Sequence, residues 1–155
     1  MKIKINKKSP DFKLPSTKNK TFDLSKVKGG LVIYFYPKDN TPGCTTESID
    51  FSKLLKKFNK LNCKVFGISK DSVKKHQNFI EKQKLLVDLL SDEPGKVCES
   101  YGVWVEKSMY GRKYMGIERT TFFINEKKLI SNIWNKVKVT NHAAEVFDFA
   151  KNILS

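Results

Sequence analysis

A strand followed by a proline- and glycine-rich turn and then a helix constrains this sequence most. The apolar run Leu31–Tyr36 is rich in β-branched and aromatic residues and has the length of a buried strand. Pro37 ends it, because proline cannot donate to a sheet ladder. Apolar residues then recur at helical spacing, at Phe51, Leu54, Leu55 and Phe58. The spacing predicts a helix from about Cys44 to Leu61, so Cys44 lies between a strand end and a helix start.

This position favours a reactive thiolate at Cys44. The start of a helix presents unpaired N–H groups and the positive end of the helix dipole, and both stabilise a thiolate over a thiol. The alternative is a buried cysteine that packs as a small hydrophobic residue. The strand–turn–helix setting makes the reactive thiolate the better interpretation.

Length and composition predict one intracellular domain. The chain has 155 residues, of which 39% are hydrophobic, and we expect a single domain over residues 1–155. Three cysteines are too few for a disulfide framework and suit a reducing compartment. No apolar run approaches the roughly 18 residues of a membrane span, and the basic N-terminus lacks a signal-peptide core. We therefore expect a cytoplasmic protein that does not associate with membranes.

The net charge of +14 raises the alternative of a nucleic-acid-binding protein. The lysines, however, are scattered through every segment, and just two basic residues are arginines, Arg112 and Arg119. Arginine dominates phosphate and base recognition, so the charge indicates a solvated surface. We expect no specific nucleic-acid partner.

The rest of the chain alternates strand and helix patterns. We predict a polar loop over Glu106–Tyr114, a hairpin over Thr120–Ile133 and a last helix. The apolar stripe of that helix is Ala144, Val146, Phe147, Ala150 and Ile153. The pattern predicts an α/β fold with helices on both faces of a central mixed sheet.

Motifs for metals and cofactors are missing from the sequence. His76 and His142 have no ligand-like spacing with the cysteines, and no role is assigned to them. There is no C-x-x-C motif and no phosphate-binding glycine loop. We expect no metal and no cofactor.

The turn carries a family resemblance. Pro37, Thr41 and Cys44 form a P-x-x-x-T-x-x-C pattern that resembles the active-site signature of the peroxiredoxins. The stretch Phe35–Thr45 is similar to the bacterioferritin-comigratory, or Q-type, subgroup. The likeness extends over nearly the whole chain, through Pro10–Pro15, Gly67–Ser69, Leu89–Asp92, Tyr101–Trp104 and Gly116–Arg119.

The resemblance implies a thioredoxin-like fold and thiol-dependent reduction of hydrogen peroxide or organic hydroperoxides. Cys44 would be the nucleophile that becomes a sulfenic acid. Thr41 would present its hydroxyl to the thiolate and the peroxide, and Pro37 would shield the sulfur from water. Backbone N–H groups of Gly43 and Cys44 would stabilise the leaving oxygen.

Two charged residues complete the implied site. Arg119 corresponds to the arginine that the family places against the cysteine, where a guanidinium stabilises the thiolate and binds the peroxide. Glu47 stands at a position that is often Glu or Gln in the family and would orient Arg119. A first-turn acid that interacts with the helix dipole is the alternative for Glu47.

The sequence departs from the subgroup at the resolving cysteine, because Ile49 stands where many Q-type members have one, five residues after Cys44. Cys63 and Cys98 remain as candidates, and we expect both to be buried and inert. We therefore favour resolution by an external thiol, from a thioredoxin, a glutaredoxin or a small thiol. Local unfolding that delivers Cys98 is the alternative.

The resemblance also implies a monomer. Two other functions stay open: a catalytically inactive, chaperone-like binding protein with the same fold, and the basic nucleic-acid binder.

Overall fold

Nine strands, four α-helices and one 3₁₀-helix (Leu24–Lys26) make up the described part of the computed structural model, residues 3–18 and 20–154. The strands are β1 (Lys13–Pro15), β2 (Thr21–Asp23), β3 (Gly30–Phe35), β4 (Cys63–Ser69), β5 (Asp88–Ser91), β6 (Trp104–Met109), β7 (Arg112–Ile117), β8 (Thr120–Ile124) and β9 (Ile130–Trp134). The helices are α1 (Pro42–Lys60), α2 (Val73–Gln83), α3 (Lys96–Ser100) and α4 (His142–Leu154).

A five-stranded mixed sheet forms the centre, in the order β5-β4-β3-β8-β9. Strands β3, β4 and β5 are parallel, whereas β8 is antiparallel to β3, and β9 to β8. All six residues of β3 are buried. A strand covered on both faces needs a continuous apolar run, and this explains the composition of Leu31–Tyr36.

Each face of the sheet has its own apolar core. Buried residues of α1, α2 and α4 pack against one face with Val32 and Tyr34 of β3. The other face packs Leu31, Ile33 and Phe35 against α3 and the β1–β2 hairpin. The predicted mixed sheet with helices on both faces is thus confirmed, with the longer helices gathered on one face.

One predicted loop is wrong. Glu106–Tyr114 lies in a β-hairpin formed by β6 and β7, whose tip is Tyr110-Gly111. Most residues of this hairpin are exposed, so it lacks the apolar alternation by which a half-buried strand is recognised. The two tip residues have φ of 51° and 76°, as a tight hairpin turn requires.

The predicted apolar stripe of α4 is confirmed at Val146, Phe147 and Ala150 and wrong at Ala144 and Ile153. His142, Ala143, Val146 and Ala150 are buried, whereas Ala144 and Ile153 are exposed. The buried positions follow a helical spacing that begins at residue 143, so an alanine alone does not locate the inner face.

Candidate active site

The junction between β3 and α1 holds the predicted cysteine. Strand β3 ends at Phe35, and α1 begins at Pro42, a residue suited to the first helical position because its missing N–H has no intrahelical partner to lose. Cys44 is the third residue of α1 and is 1% exposed. The expectation that Cys44 lies at a helix start after a buried strand is confirmed.

Sheet register brings Arg119 to the same place. Thr120 of β8 pairs with Phe35 of β3, so the residue before β8 lies just beyond the end of β3. From there Arg119 donates from Nη2 to the Sγ atom of Cys44 over 3.2 Å. A Cβ atom on Gly43 would lie 3.2 Å from the same Nη2, so glycine makes room for this close approach.

Glu47 holds the other side of the guanidinium. It lies one helical turn after Cys44, and its Oε1 accepts from Nη1 of Arg119 over 2.7 Å. The carboxyl is buried, and among the described residues its Oε2 has no hydrogen-bond partner. Burial raises the pKa of Glu47 to about 7, although the positive charge of Arg119 opposes this. Arg119 thus lies between a sulfur and a buried carboxyl.

The pKa of Arg119 itself is raised. Partial burial lowers it, but the negative charges of Glu47 and Cys44 and their hydrogen bonds outweigh the burial. The guanidinium therefore stays charged at any pH at which the protein is folded.

Thr41 and Pro37 lie in the loop of residues 36–41 that connects β3 to α1. The Thr41 hydroxyl donates its hydrogen to the carbonyl oxygen of Lys38 over 2.8 Å. Because that hydrogen is used, the hydroxyl oxygen can act toward a ligand as an acceptor. Pro37 is exposed, whereas the sulfur it was predicted to shield is buried. The shielding role of Pro37 stays a prediction.

The start of α1 also offers backbone donors. Thr45 N–H donates to the carbonyl of Thr41, which is the first bond of the helix. The N–H groups of Gly43 and Cys44 precede it and have no intrahelical acceptor by helix geometry. Thr41 makes no side-chain cap to them within the described part of the chain. These N–H groups are suited to bind a developing negative charge.

The other two cysteines lie away from Cys44. Cys63 begins β4 beside Gly30, at the end of the strands opposite to Cys44. Helix α1 alone spans roughly 24 Å from Cys44 to the end of the helix. Cys98 belongs to the core on the other face of the sheet. Burial raises the pKa of Cys63 to about 12, and burial followed by the Asp92 carboxylate raises that of Cys98 further. Neither thiol is placed to pair with Cys44 in this conformation.

The fold brings two further residues to this end of the sheet, Asp39 and His76, for which the sequence predicts no role. His76 of α2 is fully buried and lies 2.7 Å from Asp39 of the β3–α1 loop. Asp39, Asp71 and His76 each have one atom that could bind a metal ion, and these atoms lie within 4.8 Å of one another. They are the one such group of three residues in the described chain. Helical spacing does predict a buried position near Phe79, but the partner of His76 comes from a loop 37 residues away.

Lys107 was missed because its strand was predicted to be loop. It lies on β6 close enough to Arg119 that its pKa is lowered, first by burial and then by the arginine charge. Within residues 3–18 and 20–154, no helix combines the length and apolar character needed to cross a bilayer.

The sequence is similar to known peroxiredoxins over most of its length. A model of the AhpC/TSA family matches residues 5–133. A putative peroxiredoxin bcp of Coxiella burnetii is 51% identical over 147 residues, spanning 94% of this chain and 97% of the relative. Peroxiredoxin Bcp of Bacillus subtilis is 44% identical over 154 residues, spanning 99% and 98%.

Solved structures agree. A bacterioferritin comigratory protein of Xanthomonas campestris, studied for its alkyl peroxide reduction activity, superposes with a TM-score of 0.88 at 42% identity over 93% of this chain and 92% of that one. A PrxQ variant of Xylella fastidiosa superposes with a TM-score of 0.94 at 38% identity over 100% and 99%.

Proposed function

The chain belongs to the AhpC/TSA family and, within it, to the Bcp or Q-type peroxiredoxins, and from that membership we propose that Cys44 is its peroxidatic thiol. The protein is a thiol-dependent peroxidase with a thioredoxin-like fold. The observation that supports Cys44 is its 3.2 Å contact with Arg119, since a fixed cation beside the sulfur stabilises the thiolate.

The thiolate of Cys44 attacks one oxygen of the peroxide, and the O–O bond breaks as the S–O bond forms. The sulfur keeps that oxygen as a sulfenic acid, and the other oxygen leaves as hydroxide or alkoxide and takes a proton from solvent. Arg119 and the N–H groups of Gly43 and Cys44 stabilise the charge on the leaving oxygen. Glu47 positions Arg119 through its bond to Nη1.

Thr41 has a narrower role here than the resemblance implies. Its hydroxyl hydrogen is bonded to Lys38, so its oxygen would accept a hydrogen bond from the peroxide. Pro37 would limit the access of water to the oxidised sulfur.

An external thiol completes the cycle. Peroxiredoxins consume peroxide and a thiol reductant, and we propose a thioredoxin, a glutaredoxin or a small thiol in this role. The separation of Cys63 and Cys98 from Cys44 supports a one-cysteine mechanism. Delivery of Cys98 would require α1 or α3 to unfold locally.

We further propose a single domain that acts as a monomer in the cytoplasm. Both apolar cores combine residues from early and late in the chain, which supports one folding unit. The charge of +14 opposes self-association, and the three free cysteines suit a reducing compartment. An inactive binding protein and a nucleic-acid binder are not favoured.

The test replaces Cys44 with Ser and, as the matched control, Cys98 with Ala. With dithiothreitol as reductant, we expect C44S to consume hydrogen peroxide no faster than buffer, because a serine hydroxyl is not ionised at neutral pH. C98A should match the unsubstituted protein. Peroxide consumption by folded C44S would overturn the assignment.

A further inference from the structure

A buried acid–imidazole pair lies directly behind the loop of residues 36–41. Asp39, in that loop, is 7% exposed, and its two carboxyl oxygens have different partners. The hydroxyl of Tyr36 donates to Oδ1 over 2.6 Å, and Nδ1 of His76 lies 2.7 Å from Oδ2. The Asp39 backbone N–H donates to Oδ2 of Asp71 over 2.8 Å. Both carboxyl oxygens of Asp39 and its backbone N–H are therefore held by hydrogen-bond partners.

Geometry requires a proton between Asp39 and His76. Nε2 of His76 lies 2.9 Å from the carbonyl oxygen of Leu90, which can accept but not donate, so Nε2 carries a hydrogen. Nδ1 then faces Oδ2 of Asp39, and a bond forms there if either group holds a proton. A bare Nδ1 against a carboxylate would be repulsive. The pair is thus an imidazolium with a carboxylate, or an imidazole with a carboxylic acid.

These contacts fix the loop that carries Thr41. The Thr41 hydroxyl bonds to Lys38, which closes the loop on itself. Among the described residues, the hydrogen bonds from residues 37–41 to elements other than α1 are all made by Asp39. Asn40 next to it has φ of 62°, a conformation that needs support from its surroundings. The Thr41 carbonyl is held by Thr45 of α1, whereas its hydroxyl is held by Lys38, the neighbour of Asp39. The direction in which Thr41 presents its hydroxyl to Cys44 therefore depends on Asp39.

We propose that Asp39 and His76 are positioning residues for the peroxide reaction, which share a proton and thereby hold Thr41 in place beside Cys44. The inference rests on the proposed role of Cys44 and adds two residues that do not touch the sulfur. It differs from a general packing role because it predicts a defect specific to peroxide.

The first experiment compares Asp39→Ala with Asp39→Asn. An alanine removes the bridge, and we expect the second-order rate constant for Cys44 oxidation by hydrogen peroxide to fall about 10- to 100-fold, the range for misplaced reacting groups. An asparagine can accept from Tyr36 and donate to the bare Nδ1 of a neutral His76, so it should restore most of the rate.

A second substrate separates positioning from folding. Iodoacetamide alkylates the thiolate without using Thr41, so its rate at Cys44 should change far less in D39A than the peroxide rate. Asp92→Ala is the matched control, because Asp92 is an equally buried acid that bonds to the N–H of Cys98 and not to the loop. We expect the peroxide rate of D92A to equal that of the unsubstituted protein.

Nitrogen-15 NMR of the imidazole reads the shared proton directly. We expect the unsubstituted protein to show a proton in a short hydrogen bond between Nδ1 of His76 and Asp39, carried by either group, and D39N to show an Nδ1 that only accepts from the amide. If D39A does not fold, Tyr36→Phe removes the hydroxyl that bonds to Asp39 over 2.6 Å and lies 3.4 Å from Nδ1 of His76, and it should still lower the peroxide rate severalfold, with alkylation unchanged.

Several results would overturn the inference: a peroxide rate in folded D39A equal to that of the unsubstituted protein, equal losses for peroxide and iodoacetamide, or D39N as slow as D39A. Failure of the proposed function looks different, since the unsubstituted protein would then consume no more peroxide than C44S.

Discussion

Two regions of this protein place a cysteine at the same point of the same local structure. Cys44 and Cys98 are each the third residue of a helix that follows a strand of the central sheet, and each is buried. They differ in the charge they meet. Cys44 contacts the guanidinium of Arg119, whereas the helix start at Cys98 faces the carboxylate of Asp92.

The difference shows that a helix N-terminus does not by itself make a reactive thiol. Burial and Asp92 raise the pKa of Cys98, so it stays a thiol despite its position. Helix α3 has only five residues and contributes a weak dipole, while α1 has 19. Three features therefore separate the two sites: the carboxylate at Cys98, the longer helix at Cys44, and the guanidinium of Arg119, which comes from elsewhere in the chain.

Removing that partner should therefore have the largest effect. Replacing Arg119 with Ala is expected to lower the second-order rate constant for hydrogen peroxide by about 10²- to 10³-fold, as loss of a charge-stabilising donor does. Replacing Arg112, which is exposed on β7, with Ala is the matched control and should change nothing. Equal rates for R119A and R112A would show that Arg119 does not activate Cys44.

The buried carboxyl that holds Arg119 should appear in the pH dependence of stability. The pKa of Glu47 is about 7 in the fold against 4.5 as the ordinary value, so the folded state binds a proton that the unfolded chain releases. Its contribution is present below about pH 4.5 and is lost as pH rises through about 7, a change of about 3 kcal/mol.

Urea unfolding of the unsubstituted protein and Glu47→Gln checks this. The difference between their free energies of unfolding should fall by about 3 kcal/mol from about pH 4.5 to about pH 8. His142, whose pKa burial lowers to about 4, titrates in both proteins and cancels in the difference. A difference that is independent of pH would show that Glu47 does not titrate with a raised pKa.

Thr41 should matter less. Thr41→Val removes the acceptor for the peroxide, and we expect about a tenfold lower rate constant, which corresponds to one hydrogen bond. Thr41→Ser keeps the hydroxyl and serves as the control. If T41V and T41S react equally fast with hydrogen peroxide, Thr41 does not bind the substrate.

The smallest effect is expected from the other cysteines. A Cys63→Ala, Cys98→Ala double variant should keep the steady-state peroxidase rate with dithiothreitol, because the proposed one-cysteine mechanism uses an external thiol to resolve the sulfenic acid. A strong loss of turnover in the folded variant, with normal oxidation of Cys44, would instead identify one of them as the resolving residue.

Much of the candidate site, and of the strand and helix that position it, could be predicted from the sequence. Leu31–Tyr36 and the helix after Cys44 were predictable because continuous burial and helical spacing are local patterns. The pairing of Arg119 with Glu47 followed from a family resemblance, and the structure shows the contact.

What could not be predicted depends on tertiary neighbours. The family resemblance predicts Glu47 beside Arg119, but its raised pKa exists only because the fold buries it. The Asp39–His76 pair joins a loop to a helix, and the β6–β7 hairpin is stabilised by its own pairing without a buried face. Such features leave no periodic signal in the sequence.

The most direct test of Cys44 as the peroxidatic thiol is the intact mass of the protein after one equivalent of hydrogen peroxide, followed by peptide mapping of the three cysteines. We expect one or two added oxygens on Cys44, with Cys63 and Cys98 still free thiols. Oxygen added to Cys98 instead of Cys44 would contradict the assignment of Cys44 as the peroxidatic thiol. A loss of about two daltons with Cys98 joined to Cys44 would contradict the one-cysteine mechanism and identify Cys98 as the resolving thiol.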